Sequence, residues 1–175
     1  VKAWEAAGQT LEQGWPRMAP SGLIEAREKV SLISPSTLEN RLGTPAAPFV
    51  VDLEASSDFA QGHISGSVWI PRGWLELRIE DSAPIQDTPI VLTCRNGEIS
   101  TLAWVALHDM GYTNVKVLEG GKLGWSAAGF MLETGTRSIP IEPNDVVIHP
   151  LGDKERMEYY LTWEEALGRK YESDG

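Results

Sequence analysis

One cysteine, Cys94, and three histidines, His63, His108 and His149, are all the thiol and imidazole chemistry that the 175 residues contain. A lone thiol closes no internal disulfide, and histidines spaced this widely give no ligand pair at zinc spacing. The expectation is a reducing compartment, the cytoplasm, with no bound metal and no organic cofactor. Positive charge is the second scarcity: 15 Lys and Arg stand against 25 Asp and Glu, a formal charge of -10. Binding by counterion release needs clustered cations, so nucleic acid and anionic membrane are poor partners. No apolar run approaches the roughly 18 residues of a membrane span. What the chain does have is apolar content, 42% of its residues, enough for one full core with extensions and too little for two complete domains.

A short self-similarity organises the ends. Residues 4–14, WEAAGQTLEQG, align with residues 125–135, WSAAGFMLETG, sharing Trp, Ala-Ala-Gly, Leu-Glu and Gly at an offset of 121 residues. That offset is the size of one small domain, so residues 1–29 read as the tail of a preceding copy plus a linker. Residues 30–135 then form the domain itself, and neighbouring copies in a tandem array are its expected partners. Residues 136–175 read as a second linker ending in a charged amphipathic helix, with Thr162 and Glu165 at capping-box spacing.

Between the two tails, apolar β-branched runs alternate with helical segments. Strands are expected at 30–34, 48–53, 67–71, 89–94 and 114–121; PFVVDL and PIVLTC carry the near-continuous hydrophobicity of strands covered on both faces. Ser34 as cap and Pro35 at the first helical position start a helix expected to run through Leu42. Further helices are expected at 55–61, 73–81, 100–110 and 121–128, the third ended by Gly111. This alternation predicts an α/β layered domain with a largely parallel sheet.

Cys94 ends one of these strands, where open α/β sheets build their sites. Gly97 allows a tight turn after it, and Ser100 is in place to cap the helix that follows. Loop amides converging on the sulfur, the helix dipole and the neighbouring Arg95 all favour thiolate over thiol. A strand-end cysteine also occurs as a small buried hydrophobe.

The ordered motifs resemble one family. VVDLEASSDFAQGHISGSVWIP is similar to the opening motif of rhodanese domains, CRNGEIS to their six-residue sulfur-carrying loop, and GYTNVKVLEGGKLGWSAAGF to their closing motif. The resemblance spans about Val30 to Leu132. It implies a three-layer domain, with a central, mostly parallel five-stranded sheet and helices on both faces. It also implies a sulfurtransferase or sulfur carrier in which Cys94 holds a persulfide. Arg95, Asn96, Gly97, Glu98, Ile99 and Ser100 would surround the substrate, Arg95 by attracting anions, while Asp52 and His63 would be structural near the site. The donor would be a small sulfane-sulfur anion or a persulfide, and the acceptor a thiol or cyanide.

Two departures bear on that expectation. Many members carry arginine two places after the opening aspartate, where this chain has Glu54, and five places after the cysteine, where it has Ile99 beside Glu98. Carboxylates there weaken the pull on an anionic donor. They also favour the rival reading, a catalytically silent scaffolding module of a tandem array. A Cys-x5-Arg phosphatase is excluded on the residue six places after Cys94, which is Ser100.

Overall fold

The computed structural model describes residues 2–9, 20–136, 145 and 154–172. The rest of the first tail, 10–14, most of the expected second linker, and His149 lie outside the described residues. Five strands form one sheet: β1 (Leu32–Ile33), β2 (Phe49–Asp52), β3 (Val68–Trp69), β4 (Ile90–Thr93) and β5 (Val115–Leu118). Their order is β1-β5-β4-β2-β3, and every pairing is parallel. At the centre, β2 and β4 lie side by side with Asp52 opposite Thr93.

Alternation along these strands builds the layers. Val51 and Leu92 face a core completed by Leu75 and Ile79 of α5 (Leu75–Ser82) and by Ala103 and Leu107 of α6 (Glu98–Asp109). Val50 and Val91 face the opposite side, with Leu38 of α3 (Pro35–Glu39), Ile64 and Trp125 of α7 (Gly121–Ala127). The helix α4 (Ser56–Gln61) contributes the fully buried Phe59. Helices therefore cover both faces of the sheet, as the alternating pattern predicts.

The boundaries moved for local reasons. Ser34 accepts the Thr37 N–H at 3.2 Å with Pro35 behind it, the expected start, but α3 ends at Glu39 and not at Leu42. A 3-10 turn, Arg72–Trp74, precedes α5. Ser100 does not cap α6: the helix begins at Glu98 behind Gly97, whose φ of 88° opens the turn, and Ser100 is fully buried inside the first turn. Thr162 is not a cap either, because α8 (Lys154–Glu172) begins eight residues earlier and Thr162 Oγ1 donates back to the Glu158 carbonyl.

Within the expected first tail and linker, Leu23–Lys29 forms a helix, α2, packed against α6 with Leu23 and Ala26 buried. Ahead of it, α1 (Lys2–Ala6) closes as the end of α7 closes. Ala7 N–H bonds the Ala3 carbonyl and Gln9 N–H that of Trp4; Ala128 N–H bonds the Gly124 carbonyl and Phe130 N–H that of Trp125. Gly8 and Gly129 both take positive φ, at 72° and 88°. The two tryptophans differ in burial, Trp4 being 54% exposed and Trp125 only 2%.

Candidate active site

Cys94 is the first residue past β4, and its thiol is fully buried. Its Sγ accepts the N–H of Gly97 at 3.2 Å. The next amide, that of Glu98, is taken by Asn96 Oδ1 at 3.1 Å, so the loop turns on its own asparagine as well as on the sulfur. Gly97 in turn gives its carbonyl to Thr101, to the N–H at 2.9 Å and to Oγ1 at 2.8 Å, which locks the loop to the head of α6. The Gly97 N–H, just ahead of α6, is thus the loop amide that reaches the sulfur.

From the other side the loop is held by α7. Lys122 N–H donates to the Cys94 carbonyl at 2.8 Å, and Leu123 N–H to that of Arg95 at 2.9 Å. The approach requires glycine at 121: its φ is +58°, and a Cβ there would drive into the Cys94 carbonyl oxygen and lie 2.7 Å from Gly97 N. This is the physical content of the Gly120-Gly121 pair in the closing motif.

A buried charge cluster stands beside the loop. Lys122, 6% exposed, places its Nζ 3.0 Å from Asp52 Oδ2 and 3.5 Å from Glu54 Oε2. Asp52 Oδ1 also accepts the Glu54 N–H at 3.0 Å. Burial pushes the Asp52 carboxyl above its ordinary range, and the Lys122 ammonium opposes that rise. Sequence reasoning missed Lys122. The signal was present as two carboxylates, at 52 and 54, closing an apolar strand without a cation of their own.

The loop residues divide between two depressions. Arg95 is exposed and lines a cavity of about 260 Å³ with Glu54, Asp58, Lys122 and Leu132. Asn96 and Gly97 line another of about 300 Å³ with Arg27, Thr101 and Gly120. Glu98 does not stand alone over the loop: Arg27 of α2 pairs with its Oε1 at 2.9 Å. Ile99 is 39% exposed, whereas Ser100 is interior. His63 is 1% exposed and stacks on Phe59 at 3.9 Å, with its Nδ1 3.0 Å from the Phe59 carbonyl oxygen. Its main chain pairs with Glu133. Among the described residues no helix is long and apolar enough to cross a membrane.

Comparison with known proteins agrees with this architecture. A thiosulfate sulfurtransferase from Pseudomonas aeruginosa superposes with a TM-score of 0.67 at 29% identity, over 91% of this chain and 29% of that one. The thiosulfate sulfurtransferase GlpE of Stutzerimonas stutzeri is 35% identical over 80 residues, 46% of this chain and 72% of its own. The adenylyltransferase and sulfurtransferase uba4 of Ogataea parapolymorpha is 30% identical over 112 residues, 64% of this chain. The chain spans only 27% of that longer relative. The profile of the rhodanese-like domain matches residues 34–128, the stretch that runs from the cap of α3 through the Cys94 loop to the end of α7, and the chain belongs to that family.

Proposed function

We propose that this domain is a sulfurtransferase or sulfur carrier that moves sulfane sulfur through a persulfide on Cys94. The observation that carries the reading is the Cys94 sulfur at the end of β4, held by the Gly97 N–H where α6 begins. An N–H aimed at sulfur at a helix head stabilises negative charge on it, first on the thiolate and then on the persulfide. The Cys94 thiolate attacks the outer sulfur of a donor. One S–S bond forms, the donor's own bond to that sulfur breaks, and its electron pair leaves with sulfite or a thiolate. A thiol or cyanide then takes the outer sulfur, and the S–S electron pair returns to Cys94. No step calls for a metal or an organic cofactor.

This reading assigns the attraction of the donor to Arg95, because Lys122 and Arg27 are both engaged by carboxylates. Weak activity on thiosulfate follows from that shortage of free positive charge. Tandem copies remain part of this reading, supported by the matching ends of α1 and α7. The rival, a silent scaffolding module, draws on the departures at Glu54, Glu98 and Ile99 and on the burial of Cys94, which is 0% exposed.

The experiment is the intact mass of the protein before and after exposure to thiosulfate and to a small-molecule persulfide, with and without reductant. A reductant-labile gain of one sulfur, absent in Cys94→Ser, is the expected result. No gain from either donor supports the scaffold, and a gain that persists in Cys94→Ser overturns the role of the cysteine.

A further inference from the structure

We propose that Lys122 is a positioning residue for the Cys94 loop, supplying from α7 the cation that the opening segment lacks at Glu54. The proposal rests on the sulfur-carrier reading for its effect on rate, while its geometric part stands without that reading.

The geometry joins two anchors in one residue. Through its backbone, Lys122 donates to the Cys94 carbonyl, and Leu123 repeats the contact one residue along at Arg95. Through its ammonium, it reaches across to Asp52 at the end of β2 and to Glu54 just past it. Because β2 and β4 are neighbours in register, with Asp52 opposite Thr93, this one side chain ties the carboxyl ends of adjacent strands together at the loop. The charged groups around it are Asp52, Glu54, Asp58 and Arg95, and the last three share the cavity that Lys122 lines.

An ammonium this buried is costly to place unless carboxylates pair with it, and the two carboxylates are equally costly without the ammonium. Removing the cation leaves Asp52 and Glu54 facing each other in a nearly dry space. The first turn of α7 then loses its ion pairs to the end of β2. That turn is where Gly121 packs on Gly97 N, so its drift carries the amide that reaches the sulfur. A cation on the opening segment itself would pair with Asp52 and remove one carboxylate, but it would not tie that segment to α7.

The test compares Lys122→Met with the double variant Glu54→Arg/Lys122→Met, both in the full chain. Two quantities are read: hydrogen exchange at the amides of residues 122 and 123, and the rate of sulfur loading of Cys94 across persulfide concentrations. In Lys122→Met the two amides are expected to exchange at least about tenfold faster. Loading at saturating donor is expected to fall about tenfold with little change in half-saturation. The double variant, whose new cation lies on the same segment as Asp52 and does not reach α7, is expected to leave both amides fast and loading slow. Unchanged exchange in a folded Lys122→Met overturns the proposal. So does a double variant that folds with both amides as protected as in the parent. Should Lys122→Met not fold, a folded double variant with both amides fast supports the proposal, and one with both amides protected, or failure of both to fold, overturns it. Absence of sulfur loading in the parent protein counts against the sulfur-carrier reading alone, because the exchange measurement still reports on the clamp.

Discussion

Arg27 Nη2 lies 2.9 Å from Glu98 Oε1, joining α2 to the first turn of α6 across 71 residues of sequence. The sequence puts Glu98 among the loop carboxylates that weaken the pull on an anionic donor. The pair changes what its removal does. Both side chains are substantially exposed, so the pair contributes on the order of 0.5 kcal/mol to stability. Glu98→Ala also releases Arg27 beside Asn96 and Gly97. The expected outcome is a several-fold faster reaction with thiosulfate at low ionic strength, about 1 kcal/mol in barrier, shrinking as salt rises. Arg27→Ala/Glu98→Ala should lose most of the gain, which a steady-state salt series on the two variants measures.

Most of the architecture was legible because it is written locally. Val50 and Val51 or Val91 and Leu92 show strands buried on both faces, and Ser34 with Pro35 shows a helix start in two residues. The Cys94 loop was legible for the same reason. What escaped depends on contacts that local pattern does not encode. Lys122 meets Asp52 only after the sheet has brought β2 and the α7 turn together. The start of α2 is Gly22 in the left-handed region with no side-chain cap, so it lacks the usual signal, and two turns give Leu23 and Ala26 too short a stripe to read. Ser100 was misplaced as a cap because Gly97 lets the helix begin two residues earlier.

Gly121→Ala tests how tightly α7 sits on the loop. An added Cβ meets backbone, the Cys94 carbonyl and Gly97 N, where no side-chain rotation relieves it, and the positive φ adds strain. The expected loss is about 2–4 kcal/mol, with slower sulfur loading. Gly43→Ala is the control, since its φ is +76° with nothing within 4 Å of a Cβ, and about 1 kcal/mol of backbone strain is expected there. Urea unfolding of the two variants separates collision from strain.

The domain's amino-terminal limit is tested by truncation. Removing residues 1–14 takes away α1 with its exposed Trp4 and is expected to leave the unfolding midpoint of the remaining chain nearly unchanged. Removing residues 1–29 also deletes Leu23, fully buried against α6, and the partner of Glu98. A loss of about 3 kcal/mol or more is expected from the second cut, on the scale of a buried leucine. Leu23→Ala in the full chain should give about 2–3 kcal/mol of it. Equal destabilisation by both cuts would place the boundary ahead of α1.

Asp52 gives a pH signature whose sign follows from its environment. Its carboxyl is fully buried, and burial is the largest influence on it, outweighing the Lys122 ammonium and the Glu54 N–H, so its folded-state pKa is raised. A carboxyl with a raised folded pKa binds its proton more tightly folded than unfolded. Its contribution to stability is therefore fully present below its unfolded value, near 3.8, and is lost as pH rises through the folded one. Asp52→Asn keeps the oxygen that accepts the Glu54 N–H and removes the titration. Relative to the parent protein, Asp52→Asn should become progressively more favourable as pH rises from about 4 toward neutrality. Guanidinium unfolding of both proteins at pH 4, 5, 6 and 7 measures that difference. A difference that instead moves against Asp52→Asn with rising pH would mean that the attraction to Lys122 outweighs the cost of burying the carboxylate, and the cluster would then stabilise the fold as well as position the loop.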